Sequence, residues 1–171
     1  MTLPLPSRHP SNALATLMLW ALAVAGPAAA SPPSPVPLHV DLVDYPTPQA
    51  NWSAFRDLRH RLEAGFDDVC PDTFCEGEYT DYQPLKLRCS VERATGRVNV
   101  CGWAFAASEL QVDPATGALQ RQQPTWLCHF PTSAGTTVAA LLAALDGPQP
   151  LFQRLPGTGK SVFEALGDCL R

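Results

Sequence analysis

Lysine and arginine are sparse in this chain, 12 of 171 residues against 16 aspartates and glutamates, and they form no run. That scarcity argues against nucleic acid or an anionic membrane as a partner, because both reward clustered positive charge. No Cys-x-x-Cys occurs, which removes the tight ligand spacing of a structural zinc site and a thioredoxin-like redox motif. HExxH, GxSxG and Cys–His signatures are also missing, so no metalloprotease, serine-hydrolase or cysteine-nucleophile chemistry is indicated. The longest apolar run, Ala13 to Gly26, is about 14 residues. A bilayer span needs roughly 20.

That run has a different meaning. It follows a stretch whose only charged side chain is Arg8, it stops at Gly26-Pro27, and Ala28-Ala29-Ala30 precede Ser31. A basic n-region, an apolar h-region and a small-x-small site make residues 1–30 a secretory signal peptide with cleavage expected after Ala30. No cysteine stands near that point, so a lipid-modified N-terminus is not indicated. Removal of residues 1–30 leaves 141, enough for one domain; without Arg8, 11 basic residues face 16 acidic ones, a net charge of −5. The expected location is secreted or periplasmic, with no membrane insertion once the signal is cleaved.

All six cysteines, Cys70, Cys75, Cys89, Cys101, Cys128 and Cys169, lie beyond residue 30. An even number in an oxidising compartment reads as disulfides, with 15 possible pairings. Cys70 and Cys75 would close a short loop. Leu85, Leu87, Cys89 and Val91 alternate with Lys86, Arg88, Ser90 and Glu92, the pattern of a strand with one buried face. If Cys89 lies opposite Cys101 on the next strand, Leu87 faces Trp103 and Leu85 faces Phe105. A one-residue slip would expose the whole set, so the pattern fixes this register and favours Cys89–Cys101, with Cys101–Cys128 as the rival.

Ser31–Pro48 is proline-rich and reads as an extended leader, with a short edge strand at Leu38–Val43. Trp52, Phe55, Leu58, Leu62, Phe66 and Val69 recur at three- and four-residue steps, predicting an amphipathic helix from Asn51 to Val69 with Asn51 as its N-cap. Cys70–Pro84 reads as an irregular loop. Arg93-Ala94-Thr95-Gly96 and Pro114-Ala115-Thr116-Gly117 are turns whose glycine supplies a left-handed residue. They separate three antiparallel strands near 85–92, 97–112 and 118–130, with Pro124 marking a bulge or an edge. Short helices are expected at Val138–Leu145, ended by Gly147, and at Ser161–Leu170. The fold class is α+β: an N-terminal amphipathic helix packed on a three- to four-stranded antiparallel meander, cystatin-like in outline only, followed by short C-terminal helices and held by disulfides. Residues 49–171 form the single domain.

Gly157-Thr158-Gly159-Lys160-Ser161 mimics the end of a phosphate-binding loop, but the glycine required five positions before Gly159 is Arg154. Ser161 and Glu164 fit a capping box instead. Asn51-Trp52-Ser53 is a glycosylation sequon in a eukaryotic route. His9 leaves with the signal, His39 lies in the leader, His60 on the polar side of the helix and His129 beside Cys128; they suggest no common site. No cofactor and no metal is implied.

One run stands out. Asp67, Asp68, Asp72, Glu76, Glu78 and Asp81 follow one another with no intervening base. The run supports four readings: calcium ligands, though EF-hand spacing is missing; a docking surface for a basic protein partner; paired carboxylates of a small periplasmic hydrolase; or a solvated loop. The surrounding Phe66-Asp67-Asp68-Val69-Cys70-Pro71-Asp72-Thr73-Phe74-Cys75-Glu76-Gly77-Glu78-Tyr79, with Leu87-Arg88-Cys89-Ser90-Val91 and Cys101-Gly102-Trp103, resembles a segment of uncharacterised exported bacterial proteins over residues 66–105. The resemblance implies a periplasmic setting and carries over no activity. The function expected from the sequence is a non-catalytic protein-binding module, an inhibitor or immunity-type factor with an unknown protein partner; the alternative is the carboxylate hydrolase.

Overall fold

A computed structural model describes residues 36–170. The signal segment expected at residues 1–30 lies outside them. The fold is α+β. Strand β1 (His39–Asp41) leads through a 3-10 turn (Leu42–Asp44) to helix α1 (Trp52–Val69), and two further 3-10 turns (Cys70–Asp72 and Phe74–Glu76) lead to β2 (Asp81–Glu92). Strands β3 (Val98–Val112), β4 (Leu119–Gln122) and β5 (Thr125–Phe130) follow, then α2 (Val138–Ala144), a 3-10 turn (Pro150–Phe152) and α3 (Val162–Cys169). All pairings in the sheet are antiparallel: β1 with β2, β2 with β3, and β3 with both β4 and β5. The segment read as a leader therefore contributes an edge strand, and Leu42 is fully buried in the core.

The long central strand orders the rest. Cys89 pairs with Cys101 and Leu87 with Trp103 across β2 and β3, the register read from the alternation. Leu85 departs from it. Between Pro84 and Leu87 the register shifts by one residue, Pro84 takes the place opposite Phe105, and Leu85 is 48% exposed. A bulge places two residues against one, and Pro84, which has no N–H to give the ladder, sits at its start. The expected 118–130 strand is likewise interrupted at Pro124. β4 pairs with the C-terminal half of β3 and β5 with its N-terminal half, while the Pro124 carbonyl still accepts the Ala107 N–H at 3.1 Å. The first turn glycine is needed twice over. Gly96 has φ +70°, and an added Cβ there would collide with the Tyr45 hydroxyl.

One hydrophobic core joins these elements. Phe55, Leu58, Leu62 and Phe66 form the buried stripe of α1 and share a core with Leu87, Cys89, Trp103, Phe105, Cys128 and Phe130 of the sheet. Phe66 ring-packs on Phe105 at 5.0 Å and on Trp103 at 6.2 Å. Burying each large apolar side chain contributes about 1.5–3 kcal/mol, so this stripe, not helix propensity, holds α1 in place. Three disulfides form: Cys70–Cys75, Cys89–Cys101 and Cys128–Cys169. The third excludes the rival Cys101–Cys128 pairing.

Helix starts differ from one another. Asn51 does not cap α1 with its side chain; its Nδ2 donates to the carbonyls of Tyr45 and, at 3.5 Å, Leu42. The amide NH2 carries two donors where an Asp carboxylate has none, and the carbonyls left by the preceding 3-10 turn recruit it. The same engagement occupies the nitrogen to which a sequon glycan would attach. At α3 the capping box is present: the Ser161 hydroxyl accepts from Glu164 N at 3.2 Å, and Glu164 Oε2 accepts from Ser161 N at 2.7 Å. Those bonds hold the Glu164 carboxyl below its ordinary 4.5, so its contribution is present above 4.5 and is lost as pH falls through the lowered value. Ser161→Ala is expected to cost about 1 kcal/mol, read from urea unfolding at neutral pH; no loss there would show that the cap is dispensable. Gly157 and Gly159, both at positive φ, form the tight turn before this cap, and Lys160 Nζ pairs with Asp168 Oδ2 at 2.8 Å. The phosphate-loop mimic is a turn and a helix start.

Candidate functional site

The acidic loop is built by inward and outward alternation. Cys70 is buried and bonded to Cys75 with Cα atoms 5.1 Å apart. Phe74 stacks on Phe66 at 5.5 Å and meets Phe163 at 5.5 Å. Tyr79 packs edge-on against Tyr82 at 6.1 Å and Trp126 at 5.7 Å, and its hydroxyl donates to Gln122 Oε1 at 3.1 Å. The Thr73 hydroxyl donates to the Val69 carbonyl at 2.6 Å. Asp72, Glu76 and Glu78 lie between these anchors, Asp67 and Asp68 in the last turn of α1 and Asp81 at the start of β2, and all six are exposed. Asp81 differs in being fixed to the sheet edge, where its oxygens accept from Gln83 Nε2 at 2.9 Å and the Ser108 hydroxyl at 3.0 Å.

The ion pairs of the described residues use Asp57, Glu63, Asp146, Asp41 and Asp168, and none of the six loop carboxylates. Asp67 and Asp68 also stand in the last turn of α1, where there is no basic residue, while the first turn holds no acid. Backbone carbonyls give that end of a helix partial negative charge, so a carboxylate there is disfavoured by about 0.3–1 kcal/mol. Charge placement on α1 thus works against helix stability. Tyr79 and Tyr82 feel the same field. Burial, then the negative charge of Glu78, raises Tyr79 above its ordinary 10.0, and burial, Tyr79 and Glu78 raise Tyr82.

Other sequence-derived candidates scatter. His39 is exposed on β1, His60 is exposed on α1 with Nδ1 3.4 Å from Glu63 Oε2, and His129 is exposed on β5. His9 lies outside the described residues. Among the described residues no three His, Cys, Asp or Glu side chains are grouped to hold a metal ion, so calcium ligation gains no support from the acidic run. Of the six acids, Asp68 borders a described hollow of about 230 Å³, beside Pro148 and Phe152. Sequence reading missed one convergence. Arg56 and Arg59 of α1 and Lys86 and Arg88 of β2 line a common groove. Their i,i+3 and i,i+2 spacings were legible, but the packing of one pair beside the other was not. No helix among the described residues is long and apolar enough to cross a membrane. No protein family, curated protein or solved structure matches the chain.

Proposed function

We propose that this chain is an exported, non-catalytic module that binds a basic protein partner through the acidic loop, in the manner of an inhibitor or immunity-type factor. The observation that carries this reading is six exposed carboxylates, without ion pairs among the described residues, on and flanking a loop fixed by a disulfide and by Phe74. A solvated loop has no need of such anchoring, and anchored like charges create a potential that selects a partner of opposite sign. The three disulfides and the signal-like residues 1–30 support an oxidising, secreted or periplasmic setting. No two of the six exposed acids line the same described hollow, which favours a binding surface over paired-carboxylate catalysis.

The test is affinity capture from an extract of the source organism with the chain immobilised. A specific partner is expected to be retained at low salt and released by raised salt, because exposed charge pairs are screened. Asp72→Ala with Glu76→Ala is expected to weaken the isolated complex about tenfold, equivalent to ~1.4 kcal/mol. Undiminished affinity in that double variant would remove the loop from the interface.

A further inference from the structure

Four cations converge on a groove of about 230 Å³ at the opposite half of α1 from the acidic loop. Arg56 and Arg59 come from one flank of the helix, Lys86 and Arg88 from β2, and Trp52 and Phe55 supply aromatic walls. The arginines are held from the rim. Arg56 Nη2 lies 2.8 Å from Asp57 Oδ1, Arg59 Nε 3.6 Å from Glu63 Oε1, and Arg88 Nε 3.0 Å from Asp41 Oδ2. Among the described residues each contact leaves Nη1 of the arginine without a partner, and Lys86 makes no ion pair or hydrogen bond. Four cations against three rim carboxylates leave one positive charge in excess. Trp52, 49% exposed although it belongs to the apolar stripe of the helix, has the Arg56 guanidinium 4.7 Å from its ring centroid.

A cleft lined by cations focuses a positive field that attracts an anion even where the rim pairs most of the charge. Preset guanidinium forks and a free ammonium suit the oxygens of a carboxylate or phosphate, and the indole suits a flat apolar body. The volume falls below the ~300–1,000 Å³ of drug-sized sites. We propose that this groove binds a small organic acid, an oxyanion carried on an aromatic or apolar body, independently of the acidic loop. The test titrates the full chain with benzoate, phenyl phosphate and inorganic phosphate, followed by calorimetry and by tryptophan fluorescence, with Trp52→Phe assigning the optical signal. At least one phenyl probe is expected to bind saturably and at least tenfold more tightly than inorganic phosphate; whichever phenyl probe binds better identifies the oxyanion. Lys86→Ala and Arg59→Ala should each weaken binding at least fivefold with unchanged circular dichroism, while Arg121→Ala, on β4, should leave it intact. Absence of saturable binding by both phenyl probes, inorganic phosphate binding as tightly as they do, or wild-type affinity in Lys86→Ala overturns the proposal.

Discussion

Replacing Cys128 and Cys169 together by alanine is expected to lower the free energy of unfolding by about 4 kcal/mol. The two cysteines are 41 residues apart, and the chain entropy removed from the unfolded state by a loop of that length corresponds to roughly 4 kcal/mol. The bond also ties β5 to the end of α3, next to Leu170, whose carbonyl accepts the Tyr82 hydroxyl at 3.2 Å. Cys89–Cys101, 12 apart, should be worth about 3 kcal/mol and Cys70–Cys75, 5 apart, about 2. Denaturant unfolding of the three double-alanine variants without reductant should rank them in that order. A Cys128/Cys169 variant as stable as the Cys70/Cys75 variant would mean that α3 is held by packing alone.

Trp103→Ala is expected to cost about 3–5 kcal/mol, the range for truncating a large aromatic in a core. Trp103 is 0% exposed, with Phe105 at 4.8 Å and Phe130 at 6.3 Å between ring centroids. Its Nε1 is buried and has no hydrogen-bond partner among the described residues. An unsatisfied buried donor carries a penalty of roughly 1–3 kcal/mol. Trp103→Phe relieves that penalty while keeping much of the ring contact, so it should cost far less than Trp103→Ala. Equal losses in urea unfolding would contradict this account of the indole.

How far the sequence could be read depended on whether a feature was local. The stripe from Phe55 to Phe66 is set by the helix period, and the alternation at Leu87, Cys89 and Val91 by the strand period, so both were visible before any tertiary contact was known. Alternation alone puts Leu85 on the wrong face, because the bulge after Pro84 adds a residue that the strand period does not count. Pro124 signalled an interruption, yet only the pairing of β3 with both β4 and β5 shows that the strand resumes beyond it. The position of Asn51 at a helix start points to a cap, whereas its partners are the carbonyls of a turn upstream. The acidic run was legible as composition; its exposure depends on Phe74 and Tyr79 finding aromatic partners on other elements. The basic groove depends wholly on α1 lying beside β2.

Under the proposed function the acids at and after the end of α1 are kept for binding at some expense of helix stability. Thermal unfolding and partner affinity measured together on Asp67→Asn with Asp68→Asn test it most directly. Removing two negative charges from the last turn of α1 should raise stability by about 1 kcal/mol while weakening the captured complex severalfold. Unchanged affinity in a variant that is equally or more stable would contradict the account and leave the acids as solvated surface.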